Sequence, residues 1–252
     1  MADPMLGGTS RSGEYSLSLA EGDEIAEAQR LRHDTFAAEF GAQLSTLANG
    51  LDADEFDEHC NHLIVRHNQS DAIVGTYRMM TPQCAELVGG RFGDHTFDLS
   101  PLASLDAELV ETGRSCVHPD HRQGAVISLL WNGIGSYMRR SGYKHLAGCA
   151  WIPMDDGGQL AAGIWAAVRD KYLAPDEYRI TPRRPLFDGN AADSDIEPAR
   201  LPPLLRGYLR SGGWICAEPA YDSEMGVAAF YVLLSMDRIS PRFRRHFYAE
   251  ED

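Results

Sequence analysis

Residues 111–125, ETGRSCVHPDHRQGA, constrain the fold of this chain more than any other stretch. They continue a β-rich run over residues 109–117, pass through a polar turn and enter a helical run over residues 126–138. A strand, a glycine-containing turn and a helix N-terminus in this order form an anion site. The first N–H groups of a helix have no internal acceptor, and the helix dipole is positive there. We therefore expect a turn that binds a phosphate group.

A carboxylate and a guanidinium, Glu111 and Arg114, precede this turn on the same predicted strand. At the strict period of a strand they would point to opposite faces. Gly113 between them permits a bulge that would bring both to one face. Two interpretations stay open. The pair could orient a substrate and remove a proton, or it could join an ion-pair network with Arg32 or Arg78 that holds the sheet.

The periodicities along the chain predict a mixed α/β (α+β) fold. Helices are expected over residues 24–40, 126–138, 159–172 and 204–210, and strands over 62–67, 73–80, 109–117, 145–152, 214–217 and 228–236. The strand–helix–strand run from residue 109 to 152 predicts a parallel βαβ crossover within a mixed sheet that has helices on both faces. Residues 181–203 read as a long loop. We expect a disordered lead-in over residues 1–13 and one domain over residues 14–252.

The composition restricts the class of protein. No run of about 18 apolar residues occurs, so a membrane span is not expected, and residues 1–13 lack the apolar core of a signal peptide. Five cysteines lie far apart and their number is odd, which is typical of reduced thiols in a cytoplasmic protein. The formal net charge of −14 argues against nucleic acid as a partner.

Metal binding and covalent catalysis are not indicated by the sequence. His59, Cys60 and His62 lie close together, and Cys116 lies near two further histidines, but neither group has a zinc-site spacing with a second half. We therefore predict no metal. No Cys–His–Asn arrangement surrounds Cys116, so a nucleophilic thiol is not expected.

Several motifs follow one another in an order that resembles a known family. They are Leu31-Arg32 with Phe36, the acidic run 52–57, CNHLIV, VGTYRMM, ELVETGRSCVHPDHR, LLWNGIGSYM, LPPLLRGYLRSGGW and EPAYD. Together, from residue 31 to 239, they resemble the ornithine N-acyltransferases of the GNAT superfamily, although the GNAT phosphate loop is shortened here to RQGA. A subset also resembles the acyl-homoserine-lactone synthases: Arg32, Phe36, Asp54, Asp57, Arg78, Glu111 and Arg114. Those synthases carry a tryptophan between the phenylalanine and the acidic pair, and this chain has none before Trp131.

The resemblance implies a GNAT-like sheet and the transfer of a long (3-hydroxy)acyl chain from the 4′-phosphopantetheine of acyl carrier protein, or from acyl-CoA, to the α-amine of ornithine or a similar amino acid. Expected roles divide into three groups. The catalytic candidates are Glu111, Arg114, Glu55 and Asp57. The substrate-binding candidates are Arg32, Phe36, Asp54, Arg78, Glu218 and Asp222. The donor-binding candidates are Ser115, Cys116, Val117, Arg122, Gln123, Gly124 and Ala125.

Physical arguments support some of these roles. An acidic loop supplies a negative partner for a cationic acceptor and could supply the general base, with Glu55 or Asp57 preferred. An acidic composition of this kind is also typical of a solvated loop rich in turn-forming residues. The guanidinium of Arg78 could bind a substrate carboxylate through two parallel hydrogen bonds. Docking of an acidic carrier protein would need a basic patch, and Arg139, Arg140 and Lys144, or Arg206 and Arg210, could form one or simply end their helices.

Other functions remain open at this point. An acyl-homoserine-lactone-like synthase would keep the donor and require S-adenosylmethionine. An acyl-CoA-dependent N-acetyltransferase would act on another amine. A non-catalytic acyl-carrier or lipid-binding module would explain the irregular RQGA loop. A lipid product would bring at most peripheral contact with a membrane.

Overall fold

The structure is a computed structural model that describes residues 10–40, 48–187, 199–223 and 225–239. These residues form two compact units. The first holds the described residues up to Gly89 and those from Thr112 to Lys144, and the second holds those from Gly90 to Glu111 and from His145 onwards.

The described helices are α1 (Asp23–Phe40), α2 (Pro82–Val88), α3 (Ala125–Ser141), α4 (Gln159–Tyr172) and α5 (Pro203–Ser211). The described strands are β1 (Ser10–Ser12), β2 (Tyr15–Leu19), β3 (Asn61–His67), β4 (Ile73–Met80), β5 (Phe97–Asp98), β6 (Leu109–Val117), β7 (His145–Pro153), β8 (Thr181–Pro182), β9 (Trp214–Ile215), β10 (Ala220–Asp222) and β11 (Val227–Ser235). The fold is mixed α/β with mostly antiparallel pairing and one parallel pair, as predicted.

The first unit is a meander of β1, β2, β3 and β4, each antiparallel to the next, followed by the second part of β6. Helix α3 packs on β2, β3 and β4. The helix lies so close that a Cβ atom added at Gly133 would meet Leu17 Cδ2 at 2.7 Å. Helix α1 buries Ala28, Leu31 and Phe36, which belong to its apolar face.

The second unit is built around β11, whose nine residues are all buried. It pairs antiparallel with β7 along its length and also with β9 and β10. Residues Leu109, Val110 and Glu111 of β6 pair in parallel with β7, which confirms the predicted parallel pair. Strands β5 and β8 form a separate two-stranded ribbon. The apolar core of this unit includes Phe97, Leu102 and Tyr231.

The predicted helices and strands are confirmed, and six short elements of the described ranges were missed: β1, β2, β5, β8, β10 and α2. Helix α1 begins at Asp23, one residue before the predicted start. Strand β1 lies at the end of the predicted lead-in, whose residues 1–9 are outside the described ranges. Within the predicted loop 181–203, β8 pairs with β5, and residues 188–198 are outside the described ranges.

Two expectations that concern the chemistry of the chain can be compared with the structure. All five cysteines are free, as the odd number and wide spacing predicted. Across the described ranges, no helix has both the length and the apolar content that crossing a membrane requires.

Candidate active site

Six charged side chains of the first unit form a closed ring of ion pairs, in the order Arg32, Asp52, Arg114, Asp54, Arg78, Asp57 and back to Arg32. Arg32 closes one side of the ring. Its Nε lies 2.9 Å from Asp52 Oδ2, and its Nη2 lies 2.8 Å from Asp57 Oδ1. We call these six residues the charge ring.

The other two arginines each join two aspartates in the same way. Arg78 Nη1 lies 2.5 Å from Asp54 Oδ1 and 3.5 Å from Asp57 Oδ2. Arg114 lies 3.2 Å from Asp52 Oδ2 through Nε and 3.0 Å from Asp54 Oδ2 through Nη2. Every ring member therefore has two oppositely charged neighbours, and the three positive and three negative charges balance.

Four separate parts of the first unit contribute to the charge ring. Arg32 comes from α1, Arg78 from β4 and Arg114 from β6, while the aspartates come from the loop between α1 and β3. None of the six side chains is more than 7% exposed. Because buried charges are stable only when paired, this burial requires the closed arrangement. Arg114 reaches its partners from a left-handed backbone conformation, with φ at 53°, whereas Gly113 does not adopt one.

His62 on β3 fixes the ring from one side. Its Nδ1 lies 3.4 Å from Arg32 Nη1, which can only donate, and its Nε2 lies 3.0 Å from the carbonyl oxygen of Asp57, which can only accept. These contacts assign the proton to Nε2 in a neutral imidazole. Burial agrees with this assignment, since it lowers the pKa of His62 below its ordinary value.

Burial and the neighbouring charges of the ring act on the pKa values of Asp57, Arg78 and Arg114. Burial would raise the pKa of Asp57, but Arg32 and Arg78 outweigh it and hold that pKa below its ordinary value. Burial would lower the pKa of Arg78, but Asp54 and Asp57 outweigh it and raise that pKa. Burial lowers the pKa of Arg114 in spite of Asp52. Asp57 is thus a carboxylate that stays ionised and is a weak base. The other predicted base of this loop, Glu55, is exposed.

The turn predicted to bind phosphate lies at the start of α3. Gly124 precedes the first helical residue, Ala125, and has φ at 98°, a left-handed conformation that favours glycine. Arg122 donates from Nε to the carbonyl oxygen of Val117 at 3.1 Å and pairs with Glu39. Its side chain is 47% exposed, as is needed to contact an incoming anion. Gln123 is exposed on the same turn.

The residues that lead into this turn form the end of β6. Ser115 and Val117 are half-buried, and Cys116 between them is buried. The thiol of Cys116 donates to the carbonyl oxygen of Leu31 at 3.6 Å, and burial raises its pKa to about 12. A nucleophilic cysteine needs the thiolate, so this thiol is inert. Arg139, Arg140 and Lys144, the predicted basic patch after the turn, are exposed.

Glu111 belongs to the second unit, where its carboxylate is buried with 3% of the residue exposed. Its Oε1 accepts a hydrogen bond from the backbone N–H of Gly93 at 2.9 Å. Burial and the charge of Glu111 raise the pKa values of both Tyr231 and Cys149, and Asp222 adds to the rise at Cys149. Glu111 and Asp222 therefore both raise the pKa of the same thiol, that of Cys149.

The last two predicted residues of the second unit lie beyond β9. Partial burial raises the pKa of Glu218. Asp222 at the end of β10 accepts a hydrogen bond from the N–H of Met225 at 3.0 Å. Phe36, predicted to touch substrate, is buried in α1 of the first unit.

The structure thus brings five predicted residues into the charge ring and places the donor turn in the same unit. His62 was not assigned a role from the sequence, and Asp52 was predicted only as part of the acidic loop. Asp52 stands in the acidic run and His62 in CNHLIV, so both lay within the motifs that carried the resemblance. Among the described residues, no three or more His, Cys, Asp or Glu side chains are grouped so that they could hold a metal ion.

Comparisons with known proteins agree with this architecture. The family model described as an acetyltransferase (GNAT) domain matches residues 31–132. A protein of Brucella abortus (strain 2308) is 32% identical over 95% of this chain and 91% of its own length. One of Rhodobacter capsulatus is 32% identical over 93% of this chain and 94% of its own length. Both are named L-ornithine N(alpha)-acyltransferase.

A solved structure shows the same fold at low identity. The crystal structure of the AHL synthase LasI has a TM-score of 0.53, with 9% identity, and covers 96% of each chain. At this identity the likeness concerns the fold alone. The two relatives, by contrast, match nearly the full chain. The chain is therefore an N-acyltransferase with a GNAT domain, and it belongs to the family of proteins named L-ornithine N(alpha)-acyltransferase.

Proposed function

We propose that this enzyme transfers a long-chain (3-hydroxy)acyl group from acyl carrier protein to the α-amine of ornithine and so makes lyso-ornithine lipid. The observation that carries the proposal is the agreement among relatives. Four of them, 28% to 32% identical over at least 90% of this chain, are named L-ornithine N(alpha)-acyltransferase. The geometry of the described residues supports each part of such a reaction.

The attacking amine must first lose a proton, because an ammonium group has no lone pair. We assign this step to Glu111, which is buried and held by a backbone N–H. Asp57 is a poorer candidate because Arg32 and Arg78 stabilise its ionised form. Glu55, exposed on the acidic loop, is the remaining alternative. The amine then attacks the thioester carbonyl directly, since the thiol of Cys116 is inert.

The donor turn supports binding of a phosphate. Gly124 lets the backbone approach closely, the start of α3 carries the positive end of a helix dipole, and Arg122 adds a charge. In this proposal the residues Ser115, Cys116 and Val117 line the pantetheine arm with backbone groups. The pantetheine arm carries a single phosphate in acyl carrier protein, whereas in coenzyme A it carries a pyrophosphate. The short RQGA turn fits the smaller group.

On the acceptor side, the charge ring orders the acidic loop. Arg78 already holds Asp54 and Asp57, so an acceptor carboxylate could bind it only by displacing an aspartate. We therefore assign Arg78 to holding the loop. Glu55 and Glu58, which are exposed on the same loop, remain to attract a cationic amino acid. Glu218 and Asp222 are the corresponding candidates of the second unit.

Release of free thiol tests the proposal. The enzyme is mixed with 3-hydroxyacyl carrier protein and each amino acid in turn, and the products are weighed by mass spectrometry. Release that requires ornithine and yields N-acyl-ornithine is expected. Release with another amine would show that the acceptor is not ornithine, and release only from acyl-CoA would show that the donor is not acyl carrier protein. A lactone formed from S-adenosylmethionine would indicate a homoserine-lactone synthase. The absence of release from either donor would refute acyl transfer.

A further inference from the structure

One partner of Glu111 is a backbone group whose position is set by a short turn. Gly93 belongs to the 3-10 turn Phe92–His95, and its N–H donates to Glu111 Oε1 at 2.9 Å. Any residue except proline carries such an N–H. The identity of residue 93 therefore matters only if a side chain there would disturb the carboxylate.

A side chain at position 93 has no room. A Cβ atom added to Gly93 would lie 2.7 Å from Glu111 Oε1, 2.7 Å from Tyr231 Cε2 and 3.2 Å from Leu99 Cδ1. Real Cβ contacts shorter than 3.0 Å essentially never occur. Gly93 is not in the left-handed region, so its backbone conformation does not require glycine. The reason for glycine is the close approach of the carboxylate on one side and the Tyr231 ring on another.

The turn itself is held firmly. The N–H of Arg91 donates to Asp94 Oδ2 at 2.8 Å, and the N–H of Asp94 donates back to the carbonyl oxygen of Arg91 at 3.0 Å. Arg91 is buried and donates from Nε to Asp106 Oδ1 at 3.2 Å and from Nη2 to the carbonyl oxygen of Asp106 at 3.1 Å. The N–H of Gly93 therefore projects from a fixed frame toward the Glu111 carboxylate.

We propose that Gly93 is a positioning residue for the reaction, because its N–H and its lack of a side chain together fix the Glu111 carboxylate in the place where it accepts the proton of the amine. This inference rests on the proposed function, in which Glu111 is the base. One neutral N–H stabilises the ionised form of a carboxylate less than two guanidinium charges do, so it holds Glu111 in place with a smaller loss of basicity than Asp57 has. A carboxylate displaced by even about 1 Å loses much of its catalytic effect.

Substitution of Gly93 by alanine tests the proposal against a matched control. Gly93→Ala should lower kcat roughly tenfold to a hundredfold, as expected for a base displaced by about 1 Å, and should leave KM for both substrates unchanged. Gly133→Ala introduces an equally short contact, 2.7 Å to Leu17 Cδ2, in the apolar packing of α3. Its kcat should stay within about twofold of the wild-type value if only the position of Glu111 matters for the rate.

A double-mutant cycle separates positioning from a general loss of structure. If Gly93 acts through Glu111, Gly93→Ala should cause no further loss of kcat in a Glu111→Gln background, because effects that share one group are not additive. Full additivity would overturn the proposal, since Gly93 would then act elsewhere. If Gly93→Ala fails to fold, Asp94→Ala loosens the same turn without touching Glu111. It should lower kcat and again have no effect in the Glu111→Gln background.

The same measurements distinguish this inference from the function it rests on. A wild-type enzyme that releases no thiol would overturn the proposed function. A Glu111→Gln enzyme with full turnover would overturn the role of Glu111 as base while leaving acyl transfer intact. A Glu111→Gln enzyme that is impaired, together with a Gly93→Ala enzyme that matches the wild type, would overturn only the positioning role of Gly93.

Discussion

Arg32 and Asp52 form an ion pair of 2.9 Å in which neither side chain has any exposed surface. A buried ion pair is costly to form but still more costly to break from one side, because the remaining charge stays desolvated. Arg32 also holds Asp57, so its loss would leave two aspartates each short of a partner. The charge ring therefore behaves as a unit, and its members should tolerate single substitutions poorly.

We predict that Arg32→Gln lowers the free energy of unfolding by about 3–5 kcal/mol, the usual effect of removing one partner from a buried pair. Urea denaturation measures the change. Arg66 is the matched control, since its pair with Glu24 at 2.7 Å is 20% and 33% exposed. Arg66→Gln should cost about 1 kcal/mol or less, as surface pairs do. Equal losses in the two variants would show that the ring contributes no more than a surface contact.

The stability should depend on pH in two separate windows. Burial depresses the pKa of His62, so the folded protein binds fewer protons than the unfolded chain below the ordinary value of 6.5. The stability that neutral His62 allows is complete above that pH and is lost as the pH falls through the folded pKa. Urea midpoints measured between pH 8 and pH 5 should decline in the wild type and decline less in His62→Gln. His59→Gln, at an exposed position, should follow the wild type.

The second window comes from Asp57, whose pKa in the folded protein lies below the ordinary 3.8. Its contribution is complete above pH 3.8 and is lost as the pH falls through the folded pKa, because protonation breaks the contacts with Arg32 and Arg78. Acid unfolding of Asp57→Asn should therefore be less steep below that pH than acid unfolding of the wild type. Curves of equal slope would contradict the ionised state that the charge ring implies.

Arg122 should contribute to donor binding. Arg122→Ala removes an exposed charge beside the start of α3, so KM for the acyl carrier protein should rise roughly twofold to fivefold with kcat unchanged, the size expected of an exposed charge contact. The rise should shrink as salt is added, because salt screens exposed charges. Arg169→Ala on α4 is the control and should leave KM unchanged. A fall in kcat alone would place Arg122 in the chemical step and not in binding.

Two buried thiols lie close enough to be joined. The Sγ atoms of Cys60 and Cys84 are 3.4 Å apart, and a disulfide requires about 2.05 Å. We predict that diamide links these two cysteines, each thiol losing one proton and one electron to the oxidant. The reaction of the folded protein should be slow, because the hydrogen bond with Cys84 and burial raise the pKa of Cys60. Peptide mapping after blocking of free thiols should find the linked pair, and Cys84→Ser should abolish it. Preferential linkage of any other pair would contradict this geometry.

The sequence predicted the longer elements and missed most of the short ones. The bounds of β6 and α4, which have nine and fourteen residues, were predicted to the residue. Strand β2 alternates apolar and polar residues but has only five of them, and helix α2 has seven residues without a clear helical spacing. The Pro82 start of α2, capped by Thr81, was the available sign.

The candidate site was predicted as a set of residues but not as an arrangement. Arg32, Asp54, Asp57, Arg78 and Arg114 were chosen through family resemblance, and no spacing in the sequence shows that they close into a ring. The contact between Gly93 and Glu111 could not be foreseen for a different reason. It uses a backbone N–H, which every residue except proline has, and the space that a missing side chain leaves.

Arg114 has a backbone conformation that is unfavourable for a residue with a side chain. A left-handed conformation costs a residue other than glycine about 1–2 kcal/mol, so glycine would adopt it more easily at this position of β6. The Arg114 guanidinium, however, contacts Asp52 and Asp54 through two separate nitrogens. Its loss would leave both aspartates short of a partner, at a cost of about 3–5 kcal/mol that exceeds the relief of the backbone. In a library randomised at position 114, selection for stability should therefore return arginine despite the left-handed backbone.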